Sequence, residues 1–218
     1  MKLRPGTRGS VVGRAFTVLE LMVVVLISVI LVGLFMPTGH VKAKAIRIQC
    51  FNNLKQDGIA FLIWSSDNGD KFPMQVSTNL GGVKEFAGGD DVFRTFQVMS
   101  NELSNPKMVI CPADERTSAT NWTSDFNNSR VSYFVGLDAN ASLTNSFLSG
   151  DRNLKNGEMA QNGIVEFTKN QPAKWAKDIH DRSGNIAFGD GHVKRFSSTE
   201  VKNALRLTGM TTNRLAMP

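Results

Sequence analysis

The feature that most constrains this chain is an apolar run near its N-terminus, RAFTVLELMVVVLISVILVGLFMP, which extends from Arg14 to Pro37. As a helix, the part from Phe16 to Met36 is roughly 31 Å long, which matches a bilayer hydrocarbon core of about 30 Å. Within that part the one charged residue is Glu20. A carboxylate in a membrane helix costs about 3 kcal/mol unless it is paired, and such residues generally mark function. The run therefore predicts a membrane-spanning helix that does more than anchor the chain.

Four basic residues precede this segment: Lys2, Arg4, Arg8 and Arg14. By the positive-inside rule they hold the N-terminus in the cytoplasm, so the chain beyond about Pro37 is expected outside it. A secretory signal peptide matches less well, because the apolar region is too long and lacks a small-residue cleavage site at its end. The four residues supply +4 of the net charge of +6. Since no basic stripe interleaved with aromatic residues remains, nucleic acid is not a predicted partner.

The segment resembles the N-terminus of type IV pilins and type II secretion pseudopilins, in which a basic leader ends at a small residue, usually Gly, before F-T-L-I-E-L and an apolar helix. The matching stretch here is FTVLEL, which begins at Phe16. The resemblance implies that a prepilin peptidase cleaves between Ala15 and Phe16, and that Phe16 is then N-methylated. Ala15 departs from the usual Gly, and Pro37 stands where the family has a helix-bending proline. The resemblance also implies that Glu20 pairs with the N-terminal ammonium of a neighbouring subunit, which in a low dielectric would set the subunit register.

A second amphipathic helix is predicted after the apolar run. Apolar and small residues recur there at steps of three or four, and Asn68-Gly69 predicts its end; the residues are Ala43, Ile46, Cys50, Leu54, Gly58, Phe61 and Ser65. We therefore expect an α+β, pilin-like chain whose long helical spine packs on a small, loop-rich antiparallel sheet. Its predicted parts are a leader (1–15) that is removed, a transmembrane and filament-core helix (16–37), the amphipathic continuation (38–66) and an extracytoplasmic body (67–218).

Within the body, the pattern predicts a short helix over 92–103, a strand in KMVICP, strands over 131–137 and 163–169, and mostly loop between those two strands. The clearest hairpin is NIAFGDGHVKRF, residues 185–196, for which Asp190-Gly191 predicts a two-residue type I′ turn that pairs Phe188 with Val193. Ser197 followed by Glu200 is a capping-box pattern for a last helix over 198–207.

The two cysteines, Cys50 and Cys111, are expected outside the cytoplasm, where disulfides persist. A disulfide between them would stabilise the body by roughly 4 kcal/mol on the chain-entropy model. Two separately buried thiols are the alternative. A zinc site is not expected, because neither cysteine has a histidine close to it in the sequence.

The stretch HDRSGNIAFGDGH places Asp190-Gly191 nine residues after His180. This H-x9-D-G spacing resembles a C-terminal element of prepilin-like proteins of planctomycete and verrucomicrobial bacteria. Similar stretches are CFNNLKQDGIAFLIWSSDNGDKFP, VICPAD and SYFVGLDA, so the resemblance extends intermittently over most of the chain. His180, Asp190 and Gly191 are interpreted as parts of a structural turn, although with His192 they also permit a metal or hydrolytic cluster.

No cofactor is predicted, with calcium as the one ion to consider. Asp178, Asp181 and Asp190 offer the oxygen ligands that calcium prefers, and major pseudopilins of the resembling family carry calcium in this region. The sequence contains no nucleophile elbow and no Gly-rich phosphate loop, so it makes no positive case for an enzyme.

The expected function is structural. The chain would be a single-pass protein of the bacterial inner membrane, with its body in the periplasm, until it assembles into a type II secretion pseudopilus or a type IV pilus-like filament. Its expected partners are other pilin-like subunits, in homo- or hetero-oligomers, together with the prepilin peptidase, the inner-membrane platform and the ATPase of the machine. The alternative is a membrane-tethered binding module that uses the pilin-like signal only for localisation.

Overall fold

The computed structural model describes residues 16–35, 39–87 and 91–218. The chain divides into two compact units, Met1–Lys42 and Ala43–Pro218. In the described ranges the helices are α1 (Val18–Phe35), α2 (Gly39–Asp67), α3 (Phe93–Val98), α4 (Ser100–Leu103) and α5 (Ser198–Leu207). The strands are β1 (Tyr133–Gly136), β2 (Phe147–Asp151), β3 (Leu154–Lys155), β4 (Ile164–Thr168), β5 (Lys174–Trp175), β6 (Ser183–Phe188), β7 (Val193–Ser197) and β8 (Thr212–Ala216). The fold is therefore α+β, with an N-terminal helix and a mostly antiparallel sheet body, as predicted.

Helix α1 is long and apolar enough to cross a membrane, and none of its residues is buried. It starts with a capping box that the sequence analysis missed. The N–H of Thr17 donates to Glu20 Oε2 at 2.9 Å, and the N–H of Glu20 donates back to Thr17 Oγ1 at 3.2 Å. The carboxylate of Glu20 therefore satisfies a helix N-terminal donor of its own chain.

Helix α2 turns its predicted apolar face towards the core of the body, where Cys50, Leu54 and Phe61 are fully buried. Asp67 is its last residue, and Gly69 follows with a positive φ of 67°. A left-handed glycine just past the last turn is a frequent helix terminator, because glycine has no Cβ to clash there. The predicted end of this helix is confirmed.

In the described part of the body, six strands form one antiparallel sheet in the order β4-β8-β1-β2-β6-β7, and β3 pairs with β5 in a separate ribbon. Successive residues of β1 face two different cores. Tyr133 and Val135 belong to the core that includes the buried face of α2, whereas Phe134 belongs to the core that includes Val201 and Leu205 of α5. The sheet is therefore a middle layer between α2 and α5.

Strands β6 and β7 form the predicted hairpin, but the predicted register is wrong by one residue. Val193 pairs with Ala187 rather than with Phe188. The N–H of Phe188 donates to the carbonyl of His192 at 2.9 Å, which leaves a loop of three residues ending at Gly191. Gly191 alone in that loop has a positive φ, 80°. A type I′ turn needs positive φ at both central positions, so the chain uses the three-residue alternative, which ends in a left-handed glycine.

The other body predictions had mixed outcomes. Strands β1 and β4 and helix α5 lie where they were predicted, and the capping box of Ser197 and Glu200 is present. The helix predicted over 92–103 is divided into α3 and α4. KMVICP is not a strand, because Asn105 Oδ1 accepts the N–H of Lys107 at 2.9 Å and starts a 3₁₀ turn over Pro106–Val109. The predicted loop contains the central strand β2, and β8 was missed.

Candidate functional site

Of the residues predicted for processing and assembly, the structure describes Phe16 and Glu20, whereas Ala15 and Pro37 lie outside the described residues. Phe16 is 80% exposed. The large apolar side chains of α1 that follow it are exposed along the whole helix, among them Leu19, Leu26 and Phe35. Helix α1 therefore presents a continuous apolar surface that carries one carboxylate, Glu20.

The body contains a second notable site, a cluster of four buried side chains: Cys50, Cys111, Asp151 and His180. Cys50 lies on α2, Cys111 follows the 3₁₀ turn, Asp151 ends β2 and His180 precedes β6. One potential ligand atom from each residue lies within 4.8 Å of the other three. Thiolate, imidazole and carboxylate groups are the common protein ligands of transition metals, so this is the group in the described residues that suits a metal ion.

Hydrogen bonds and close contacts connect the four members in a chain. Cys111 Sγ lies 3.2 Å from His180 Nε2, His180 Nε2 lies 3.7 Å from Asp151 Oδ2, and Cys50 Sγ donates to Asp151 Oδ1 at 3.3 Å. Asp151 Oδ2 also accepts from the backbone N–H of Asn185 at 2.7 Å and from its side-chain amide at 3.0 Å. The carboxylate of Asp151 is therefore held in one orientation at the centre of the cluster.

Burial controls the protonation of these groups. Burial, and after it the hydrogen bond to Cys111, raises the pKa of the Cys50 thiol. Burial raises the pKa of Asp151 to about 7, although hydrogen bonds from Asn185 oppose the rise. Burial, with the positive charges of Arg195 and Arg47 next in importance, lowers the pKa of His180 to about 4. At neutral pH this site thus favours a neutral Cys50 thiol and a neutral imidazole.

The predicted disulfide is not present in this structure, in which Cys50 and Cys111 are both free and buried. The structure does bring the two residues together, as the pairing requires. Cys50 Sγ also donates to Asp151, and Cys111 Sγ lies next to His180, so the two thiols share this space with a carboxylate and an imidazole. The absence of a histidine near either cysteine in the sequence was misleading, because His180 reaches Cys111 across 69 residues of chain.

His180 enters the cluster from an unusual backbone. His180, Asp181 and Arg182 have φ angles of 55°, 49° and 61°. Three consecutive left-handed residues that are not glycine cost about 1 kcal/mol or more each. The carbonyl of His180 accepts from the hydroxyl of Ser183 at 2.7 Å, which closes the turn onto the start of β6. The Nδ1 atom of the His180 ring is buried without a hydrogen-bond partner among the described residues.

The structure gives the H-x9-D-G spacing a physical meaning. Strand β6 connects His180 in the buried cluster to Asp190 and Gly191 in the hairpin loop. That loop approaches α2, where a Cβ added to Gly58 would lie 3.3 Å from the carbonyl oxygen of Gly191. The nine residues between His180 and Asp190 are therefore the length of chain that runs along β6 from the buried cluster to the hairpin loop. Both ends of this stretch lie next to α2.

The three aspartates considered for calcium do not come together in a group that suits a metal ion within the described residues. Asp178 lies 3.9 Å from the guanidinium of Arg152. Asp181 is exposed, and Asp190 Oδ1 contacts His192 in the hairpin loop. The carboxylate that does join a cluster, Asp151, was missed because SFLSGD has the composition of a loop.

Comparisons with known proteins found no protein-family model, no curated protein and no solved structure that matches this chain. The apolar helix α1 and the buried cluster are therefore the features of the chain that bear on its function.

Proposed function

We propose that this chain is a prepilin-like structural subunit, cleaved between Ala15 and Phe16 and assembled through α1 into a type II secretion pseudopilus or a type IV pilus-like filament. The observation that supports this most strongly is the complete exposure of α1, an apolar helix with no buried residue. Exposed apolar area of this size is unfavourable in water and marks a surface that membrane or protein covers. Lipid would cover it before assembly, and the helices of neighbouring subunits would cover it afterwards.

The position of Glu20 supports assembly rather than anchoring alone. Its carboxylate accepts hydrogen bonds from the N–H and the hydroxyl of Thr17, at 2.9 Å and 3.0 Å. An amide side chain also serves at this position of a capping box, so the cap does not require a negative charge. The charge becomes important if the carboxylate meets the ammonium group that cleavage creates at Phe16 of a neighbouring subunit, since opposite charges attract strongly in a low dielectric.

The body fits the same proposal. Helix α2 packs against one face of an antiparallel sheet, as the pilin-like resemblance implies, and the body would lie in the periplasm. The proposed partners are other pilin-like subunits, the prepilin peptidase, and the inner-membrane platform and ATPase of the assembly machine. The role is structural, and no catalytic step is assigned to the chain.

A pair of variants tests the proposal. Glu20→Gln keeps a hydrogen-bond acceptor for the helix cap but removes the charge, whereas Thr17→Ala removes the capping hydroxyl and keeps the charge. Loss of one partner of a buried ion pair costs about 3 to 5 kcal/mol. We therefore expect Glu20→Gln to reduce filament formation at least about a hundredfold, while Thr17→Ala assembles nearly as well as the natural chain. Filaments are counted by electron microscopy of cells that express the assembly machine.

Mass spectrometry of the membrane-extracted protein provides the control for processing. Both variants are expected to begin at an N-methylated Phe16, so that any loss of filaments reflects assembly rather than cleavage. If processed Glu20→Gln protein forms as many filaments as the natural chain, the assembly role of Glu20 is wrong. If the processed natural chain stays in the membrane as single subunits, the tethered binding module is the better explanation.

A further inference from the structure

We propose that Cys50, Cys111, Asp151 and His180 form a structural zinc site that fastens α2 to the sheet of the body. The four side chains supply two sulfur atoms, one nitrogen and one carboxylate oxygen, a ligand set that zinc accepts in closed four-coordinate sites. Each comes from a different segment of the chain: α2, the loop after the 3₁₀ turn, the end of β2 and the turn before β6. One ion would therefore cross-link four segments at once.

The distances already approach those of a tetrahedral site. With zinc–sulfur bonds of about 2.3 Å and zinc–nitrogen or zinc–oxygen bonds of about 2.0 Å, the ligand atoms lie about 3.3 to 3.8 Å apart. The observed separations are 3.2 Å between Cys111 Sγ and His180 Nε2, 3.3 Å between Cys50 Sγ and Asp151 Oδ1, and 3.7 Å between His180 Nε2 and Oδ2 of the same carboxylate. Because all four ligand atoms lie within 4.8 Å of one another, closing them onto an ion requires shifts of no more than about 1 Å.

Three side-chain bridges between neighbouring segments hold the ligands in place. Asn53, one helical turn after Cys50, donates from its amide to the carbonyl of Ile110 at 2.9 Å, directly before Cys111. Asn153, two residues after Asp151, donates to the carbonyl of Ile179 at 2.8 Å, directly before His180.

The third bridge links these two pairs of segments. Asp114 accepts two hydrogen bonds of 2.8 Å each from Arg152, which connects the loop of Cys111 to the end of β2. Outer contacts that fix the segments carrying metal ligands are a regular feature of metal sites, where they orient the first ligands. The three bridges thus connect the four segments in series, from α2 to the loop of Cys111, then to the end of β2, and then to the turn before β6.

Placing His180 here is costly without a ligand. Its imidazole is buried, its Nδ1 has no hydrogen-bond partner among the described residues, and its turn consists of left-handed residues. A buried nitrogen without a partner costs about 1 to 3 kcal/mol. Coordination through Nε2 leaves Nδ1 without a partner, but the free energy of metal binding would offset this cost, because it contributes directly to folding.

The surrounding charge also favours a divalent cation. Two thiolates and the carboxylate of Asp151 would carry three negative charges, which a zinc ion reduces to one. The guanidinium of Arg195 donates to Ser183 Oγ at 2.8 Å, and that hydroxyl donates to the carbonyl of His180 at 2.7 Å. The positive charge of Arg195 would offset the remaining negative charge in a site that otherwise excludes ions.

The test uses the full chain, purified without an affinity tag in detergent under reducing conditions and dialysed against zinc. We expect one zinc per chain by elemental mass spectrometry, and a rise in melting temperature when zinc is added to the metal-free protein. Replacing zinc by Co²⁺ should give the strong visible bands of a tetrahedral site together with sulfur-to-cobalt charge-transfer absorption. This spectrum reports the ligands of the natural chain, so it does not depend on the folding of a variant.

His180→Ala and Cys111→Ser are expected to weaken zinc binding at least about a hundredfold, and circular dichroism verifies that each variant folds. The matched control is His192→Ala, which removes an exposed imidazole from the hairpin loop and should bind zinc like the natural chain. The proposal is wrong if the reduced natural chain binds no zinc, or if cobalt gives no thiolate absorption. It is also wrong if the protein purified without reductant is two hydrogens lighter and binds no metal, because Cys50 and Cys111 then form the predicted disulfide instead.

Discussion

Helix α1 exposes apolar groups, whereas the buried cluster removes polar groups from water. Helix α1 exposes apolar side chains along its whole length and carries one carboxylate, Glu20. The body does the reverse, because it buries Cys50, Asp151 and His180 between α2 and the sheet. An exposed apolar surface and a buried polar group are both unfavourable unless something compensates them. In α1 the proposed compensation comes from lipid and neighbouring subunits, and in the body it comes from a metal ion.

The two regions also differ in how their chemistry is distributed along the chain. The proposed function of α1 depends on one contiguous stretch, from the basic leader to the end of the apolar run. The cluster combines residues from position 50 to position 180, so it exists only after the body has folded. Variants of α1 should therefore change assembly and leave the stability of the body unchanged, whereas variants of the body should change its stability first.

Among the variants considered, Phe61→Ala should lower the stability of the body most. The ring of Phe61 is fully buried and packs edge-on against Phe72 and Phe96, with centroid distances of 5.8 Å and 6.2 Å. The cavity left by alanine should lower the free energy of unfolding by about 3 to 5 kcal/mol. Denaturant unfolding followed by tryptophan fluorescence measures this, because all three tryptophans lie in the unit Ala43–Pro218: Trp64, Trp122 and Trp175.

The control for this variant is Leu26→Ala in α1, which truncates an apolar side chain that is 64% exposed. It should leave the unfolding of the body unchanged. A loss of less than about 1 kcal/mol for Phe61→Ala, or equal losses for both variants, would contradict the division into two independent regions.

Sequence patterns were reliable where the cause of the structure is local. The apolar period of α2, its stop at Gly69 and the capping box of Ser197 and Glu200 all act within a few residues, and each was predicted. The cap of Thr17 and Glu20 has the same capping-box pattern and is equally local, but it was not predicted.

The features of the body that were not predicted depend on contacts between residues that are distant in sequence. Ser149, Gly150 and Asp151 have the composition of a loop, and they form a central strand because they pair with β1 on one side and β6 on the other. The same applies to the hairpin register, which the loop length controls, and to His180, whose neighbour Cys111 is remote in sequence. The sequence therefore predicted the elements of the body better than the site that joins them.

Asp57→Asn should change how the stability of the body depends on pH. Asp57 lies on α2 with both carboxylate oxygens buried and without hydrogen-bond partners among the described residues. Burial raises its pKa to about 7. Between about pH 4 and pH 7 the folded state therefore holds a proton that the unfolded state releases, so the stability of the natural chain falls as the pH rises through this window.

Asparagine cannot ionise, so the stability of Asp57→Asn relative to the natural chain should increase by about 2 to 4 kcal/mol from pH 4 to pH 8 and level off above the folded-state pKa. Denaturant unfolding at a series of pH values measures the difference. Asp67→Asn, which removes an exposed carboxylate from the same helix, controls for the change in net charge. A difference that stays constant across the range would show that folding does not raise the pKa of Asp57.

The smallest expected effect concerns the N-caps of two helices, Ser197 of α5 and Thr17 of α1, which use the same chemistry. Ser197 accepts the N–H of Glu200 at 3.4 Å and starts α5, whose residues Val201 and Leu205 are buried against the sheet. Ser197→Ala should therefore lower the stability of the body by about 1 kcal/mol, the usual cost of losing an N-cap. Thr17→Ala removes the equivalent hydroxyl from α1 and should leave the tryptophan-detected transition unchanged, because α1 belongs to the other unit. If both variants shift that transition equally, the helix and the body unfold together, and the contrast between the two regions is wrong.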